Sequence, residues 1–297
     1  MIKNHIIILF IFSLSVYAGV QTKRLEQTVS NDTMHNKTKC ATAFVYDLVN
    51  RQSLEKSQTL HQLSKLMSRP IMQHSYNTPE GHFKIHYNTR DNHIVFESDI
   101  DLEPQDSHPD FINRVGSYFE KSLAFIHDSL GYLAPPRDNR GGDDRYDIYL
   151  VLSDTLGLTS PETPSNQYAD YNSFTSFIKL NSDFAHYSSS ADDMAKVTAA
   201  HELFHAVQFA YGLDYFADIN SLWFTEASAV WIEDLVYDDI NDYYNYLPAF
   251  FNAPWKSLET WDNNLHAYAA CIWPHFLHQR YDIEFIKEIW EHANYYN

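Results

Sequence analysis

Apolar positions along the chain alternate between two spacings. Phe44 and Leu48, then Leu60, Leu63 and Leu66, recur at helical intervals across residues 41–67, and Arg69-Pro70 ends that stretch. Phe83-Lys-Ile-His-Tyr87 and His93-Ile-Val-Phe96 predict strands separated by the polar turn 88–92. Phe111, Val115, Tyr118, Ser122 and Phe125 share one face of a helix predicted from Asp110 to Leu130, with Pro109 before it and Gly131 at its C-terminus. Tyr146 to Leu152 is apolar enough for a strand inside a sheet, and Phe174 to Leu180, which carries hydroxyls and a lysine, reads as an edge strand. Between them, Leu156 to Tyr171 reads as loop because of its two prolines. From Ser190 onward the pattern is helical, with Gly212, Pro248, Pro254 and Pro274 as punctuation.

The first residues follow a different logic. Lys3, the nine-residue apolar run Ile6–Leu14 and the small residues of Val16-Tyr17-Ala18 form an export signal, predicting cleavage near Ala18 and a secreted protein. Residues 19 to about 39 are a polar leader. With the helical stretch to residue 70 they form either a removed pro-segment or an integral layer. No later stretch has the length and apolarity of a membrane span. Asn31 and Asn36 lie in glycosylation sequons.

Hydrophobic residues make up 44% of the 297, so the chain can bury a core. A formal charge of −18 disfavours nucleic acid and anionic membranes as partners. Export would place Cys40 and Cys271 in an oxidising compartment, where a disulfide, two buried thiols, or a Cys40 that reaches a metal are all open.

The chemistry concentrates in one helix, expected from Ala191 to Ala210. His201-Glu-Leu-Phe-His205 sets two imidazoles one turn apart on one face, the arrangement a single Zn²⁺ takes from two neutral nitrogens. Glu202 projects beside that pair, where a general base for a water must stand. In a chain with 16 histidines such a pattern also arises by chance, so the zinc reading requires a third ligand. Glu226 supplies it: a carboxylate amid Leu222, Trp223, Phe224, Ala227, Val230, Trp231 and Ile232 lies on a helix apolar nearly all round, where an unpaired charge is costly. Asp214, Asp218, Glu233 and Asp234 are rivals whose loop or helix-end positions exposure would explain. Two His and one Glu leave a fourth position for water, the mark of a catalytic site. The acidic loop Asp138 to Asp147 offers oxygens for Ca²⁺, although a turn before a strand explains it more simply.

His201-Glu-Leu-Phe-His205 followed by Trp223-Phe-Thr-Glu226-Ala resembles the gluzincins, the thermolysin-like zinc metallopeptidases. Thr78 to Tyr87, Gly141 to Tyr149 and His201 to Asp234 are also similar to a family of exported bacterial metalloproteases. The resemblance spans about Arg69 to Trp290 and implies an α+β, zincin-like fold. A twisted sheet and the active-site helix would occupy residues 71–212, and a mainly helical subdomain residues 213–297, with the cleft between them. It implies His201, His205 and Glu226 as ligands of one catalytic Zn²⁺, Glu202 as base, and a Tyr or His of the helical part as oxyanion partner. Tyr268 and then His266 are the candidates, the plain alternative for Tyr268 being an ordinary core residue. The substrate would be a peptide or protein added as a strand to the edge Phe174–Leu180, and the activity that of an endopeptidase. A zincin scaffold that binds without turnover, and a hydrolase of non-peptide amides or esters, are the alternatives. One departure stands out: thermolysin has an Asp four residues after its ligand Glu to orient a ligand His, and Val230 occupies that position here. His275 and His278 read as a solvated helix face.

Overall fold

The computed structural model describes residues 38–43, 45, 67–185, 190–212, 221–261 and 265–292. The residues read as an export signal, the asparagines of both sequons, most of the expected leader and most of the expected helical stretch to residue 67 lie outside the described residues, as do Asp214 and Asp218. No helix among the described residues is long and apolar enough to cross a membrane.

The architecture is α+β, built on a mixed six-stranded sheet. Its strands are β1 (Thr38–Cys40), β2 (His74–Asn77), β3 (Phe83–Tyr87), β4 (Tyr146–Val151), β5 (Thr155–Pro164) and β6 (Phe174–Asn181), in the order β1-β5-β6-β4-β3-β2. The pairs β1–β5, β6–β4 and β4–β3 are parallel, and β5–β6 and β3–β2 antiparallel. β4 shows why a strand in this interior reads as continuously apolar. Tyr146, Ile148 and Leu150 enter the main core, while Tyr149 and Val151 pack with Phe177 on the opposite face.

Three strand expectations are corrected. His93–Phe96 forms only an isolated bridge, Asn88 to Ile94, and the antiparallel partner of β3 is His74–Asn77. Leu156–Pro164 is strand, because pairing with β6 along its length overrides the prolines, and a register shift between Pro161 and Pro164 absorbs them. As a result β6 is interior, flanked by β5 and β4, and cannot be the edge that receives a substrate. Its hydroxyls are buried and partnered inside the sheet, Thr175 with Thr163 and Ser176 with Tyr146.

Helix α1 (Asp110–Leu123) continues into a wider π turn, Ala124–Ser129, before Gly131 turns the chain at φ +72°. Helix α2 (Ala191–Tyr211) begins at Ser190, whose side chain accepts the Asp193 N–H, and stops at Gly212. It is buried on every side from Val197 to Tyr211, because β5 and β6, α1 and α3 (Leu222–Val236) all pack against it. The remaining α-helices among the described residues are α4 (Leu247–Phe251), α5 (His266–Ala269), α6 (Ile272–Arg280) and α7 (Glu284–His292); the predicted helix 265–279 is thus two pieces. Trp290 of α7 packs against Phe204 and Phe224, so one core runs from Phe83 to Trp290. His275 is mostly buried against Tyr243 and His278 lies edge-on to Trp231, so that face is not the solvated one expected. The acidic loop is neutralised by the protein itself: Arg69 pairs with Asp138 and Asp147, Lys84 and Arg145 with Asp143, and Arg137 with Asp144. Among the described residues, the group of side chains that could hold a metal ion lies elsewhere.

Candidate metal centre

α2 and α3 cross so that the four-residue spacing of His201 and His205 faces Glu226, and all three side chains are fully buried. His201 Nε2 lies 3.1 Å from His205 Nε2 and 3.0 Å from Glu226 Oε2, and His205 Nε2 lies 3.6 Å from Glu226 Oε1. Cys40 joins them from β1: one donor atom each of Cys40, His201, His205 and Glu226 fall within 4.8 Å of one another. Both cysteines are free thiols, so there is no disulfide between them, and Cys40 is the one that reaches the cluster.

The outer contacts fix the imidazoles. His201 Nδ1 is 2.6 Å from Glu233 Oε1, and Glu233 in turn meets Lys39 Nζ at 2.5 Å. Lys39 also holds Asp242 at 2.6 Å. His205 Nδ1 is 2.8 Å from Gln208 Oε1, and the Gln208 amide donates to the Thr225 carbonyl at 2.9 Å. Each Nδ1 therefore faces an oxygen outside the cluster, and each Nε2 is turned inward toward the other ring and Glu226. Two ring nitrogens and a carboxylate converge on one point, an arrangement that positive charge, as a proton or a metal cation, resolves. Burial alone would lower the pKa of His201, but its hydrogen bonds to Glu226 and Glu233 raise it to about 9. Burial likewise works against ionised Glu226, yet His205 and His201 hold it down at about 2. The pocket is built for positive charge between these side chains, which a metal ion would supply. Cys40 fits the same logic: burial, then the charges of Glu202 and Glu226, push its thiol well up, and a bound metal is what would bring it down.

Glu202 stands beside the cluster. Its Oε2 accepts from Thr159 Oγ1 at 2.7 Å and Thr42 Oγ1 at 3.2 Å. Its Oε1 is buried with no hydrogen-bond partner. The carboxylate lies flat against Gly157 of β5, where a Cβ would stand 2.5 Å from Glu202 Cγ and 2.6 Å from Cδ. Gly157 is thus required for space.

Tyr268 is buried in α5 with its ring 6.2 Å from that of His201, and its hydroxyl donates to the Cys40 carbonyl at 3.1 Å. His266 is not brought to the cluster. Its ring stacks on Phe250 and its Nε2 meets the Ser257 carbonyl at 3.0 Å. Glu233, expected to be exposed at a helix end, is buried and acts as the acceptor for His201 that Val230 cannot be. Its separation of seven residues, two turns after Glu226, was the available signal. Gln208, Gly157 and Thr159 carried no comparable signal in the sequence.

The fold and the cluster define an α+β domain with a buried Cys-His-His-Glu centre. Residues 64–296 match the model of a family described as a family of unknown function (DUF6055), and the chain belongs to that family. No curated protein and no solved structure matches the chain. The matched region contains His201, Glu202, His205, Glu226, Glu233 and Tyr268, whereas Lys39, Cys40 and Thr42 precede it.

Proposed function

We propose that this protein is a zinc-dependent metallopeptidase of the gluzincin type, exported and acting within polypeptide chains. The observation that carries the reading is Glu202 Oε1, a buried carboxylate oxygen left without a partner beside three inward-facing donors. A merely structural metal site has no use for it. The donor set suits zinc: two nitrogens on one tetrahedral Zn²⁺ stand about 3.3 Å apart, against 3.1 Å between the two Nε2 atoms. Zn²⁺ held there supplies Lewis-acid chemistry, polarising a carbonyl and acidifying a water.

The chain's own residues do the rest. His201, His205 and Glu226 hold the ion, Glu233 and Gln208 fixing the tautomers of the two rings. Thr159 anchors one oxygen of Glu202 and leaves the other to take a proton from the attacking water and pass it to the leaving amine. Tyr268, whose ring lies 6.2 Å from that of His201, would donate a hydrogen bond to the developing oxyanion in place of the Cys40 carbonyl. The helix that carries Glu202 lies against β5, so an extended substrate along β5 would present its backbone to this centre. The resemblance to gluzincins supports the same assignment of ligands and base.

The test is hydrolysis of an unfolded protein by zinc-loaded material, with and without Glu202→Gln. Because the Cys40 thiol lies within 4.8 Å of the other three donors, the comparison is made in a Cys40→Ala background. Glu202→Gln should retain one zinc per chain and lose activity by about 10²–10⁴-fold. Loss of zinc together with activity would make Glu202 a support for the metal, and unchanged hydrolysis would end the peptidase reading.

A further inference from the structure

The chain carries an occupant for its own site. Lys39–Ala43 touches each group that the proposed chemistry uses. Cys40 brings its thiol to the two imidazoles and Glu226. Its backbone N–H and carbonyl both engage the Tyr268 hydroxyl, at 3.3 and 3.1 Å. Thr42 Oγ1 donates to Glu202 at 3.2 Å while accepting the Thr159 N–H at 2.8 Å, and the Ala43 N–H points to Glu226 Oε1 at 3.4 Å. The stretch also takes the outer side of β5, pairing Thr38 with Thr155 and Cys40 with Gly157, and Ala41 N–H reaches the Gly157 carbonyl at 3.0 Å. Lys39 completes the anchorage through a buried ion pair to Glu233, the residue that orients His201.

We infer that Cys40 is the fourth metal ligand and that the segment around it is an autoinhibitory plug, holding the peptidase latent until it leaves. This rests on the metallopeptidase reading. Four protein donors would ordinarily close a site for good. Here three come from two interlocked helices with their own outer contacts, and the fourth from a three-residue strand at the end of the sheet. That strand lies outside the region shared with the family, and the other donors and Glu202 lie inside it. A permanent fourth ligand would not also need to occupy the base, the oxyanion donor and the strand edge. A stand-in for substrate does. With the plug in place, no water can take the fourth position and no peptide can pair with β5. With it removed, Tyr268, Glu202 and the β5 edge are released together.

The experiment uses the full chain loaded with Co²⁺ or Zn²⁺, as wild type, Cys40→Ala, Cys40→Ser and Cys271→Ala. Wild type and Cys271→Ala should show the near-ultraviolet thiolate-to-cobalt charge-transfer band, and Cys40→Ala should lack it while keeping one metal per chain. The zinc forms of Cys40→Ala and Cys40→Ser should hydrolyse an unfolded protein at least tenfold faster than wild type. A band that persists in Cys40→Ala, or is absent from wild type, overturns the ligation. Metal lost from both Cys40 variants makes Cys40 a structural ligand and overturns the latency, as does equal hydrolysis by wild type and variants. If the band behaves as expected, metal is kept and no variant hydrolyses anything, the peptidase reading has failed and the latency with it, while Cys40 ligation stands.

Discussion

Gly157→Ala places one methyl group against the proposed base. The new Cβ would lie 2.5 Å from Glu202 Cγ and 2.6 Å from Cδ, whereas non-bonded carbons settle at about 3.5–4.0 Å. Something must therefore retreat by about 1 Å. The strand is not free to do so, because Gly157 pairs with Leu180 on one side and its carbonyl receives the Ala41 N–H on the other. The Glu202 side chain gives way instead and strains its 2.7 Å bond to Thr159. A displacement of about 1 Å in a catalytic group costs on the order of 10²-fold in rate, or about 2.7 kcal/mol in the barrier. Measured in the Cys40→Ala background with an unfolded-protein substrate, kcat should fall by about that factor. Metal analysis should still find one zinc per chain, since the helices that carry His201, His205 and Glu226 are not displaced. Unchanged kcat with zinc in place would show that the position of Glu202 is irrelevant to turnover. Zinc lost along with activity would show that Gly157 supports the metal instead of the base.

Two further outcomes follow from the outer contacts. Glu233→Gln keeps an acceptor for His201 Nδ1 but removes the charge shared with Lys39, so zinc affinity in a chelator competition should weaken by about 10–100-fold, and an unchanged affinity would remove Glu233 from the metal's support. Asp234 is held above its usual range, at about 6, first by burial and then by the charges of Asp238 and Glu233, and its Oδ1 has no hydrogen-bond partner. A carboxyl whose folded pKa exceeds its unfolded one favours the folded state below about pH 4 and loses that contribution as pH rises through about 6. Asp234→Asn should therefore stabilise the protein at pH 7–8, by on the order of 1–2 kcal/mol, with the gain vanishing near pH 4. Thermal unfolding of both forms across that range checks it, and a gain independent of pH would refute the assignment.

What the sequence determined by itself was local. The spacing of His201 and His205 is fixed by one turn of helix, and Glu226 declared itself because a carboxylate on an all-apolar helix needs a partner of opposite charge. β3, β4 and the main helices followed from the same short-range periodicity, and the α+β class from the resemblance that the motifs carry. What only the tertiary structure decided depends on contacts between distant residues. β5 is a strand because β6 pairs with it, against the local preference of Pro161 and Pro164, and that pairing places β6 in the sheet interior. Glu233 meets Lys39 across 194 positions, and Cys40 meets Tyr268 across 228. No periodicity carries information over such distances, because a pattern along the chain reports which face of an element is buried and not which side chain will lie against it. His201, His205 and Glu226 were legible as candidate donors because their spacing is helical, whereas Cys40 stayed one alternative among three, because only the folded sheet brings it beside them.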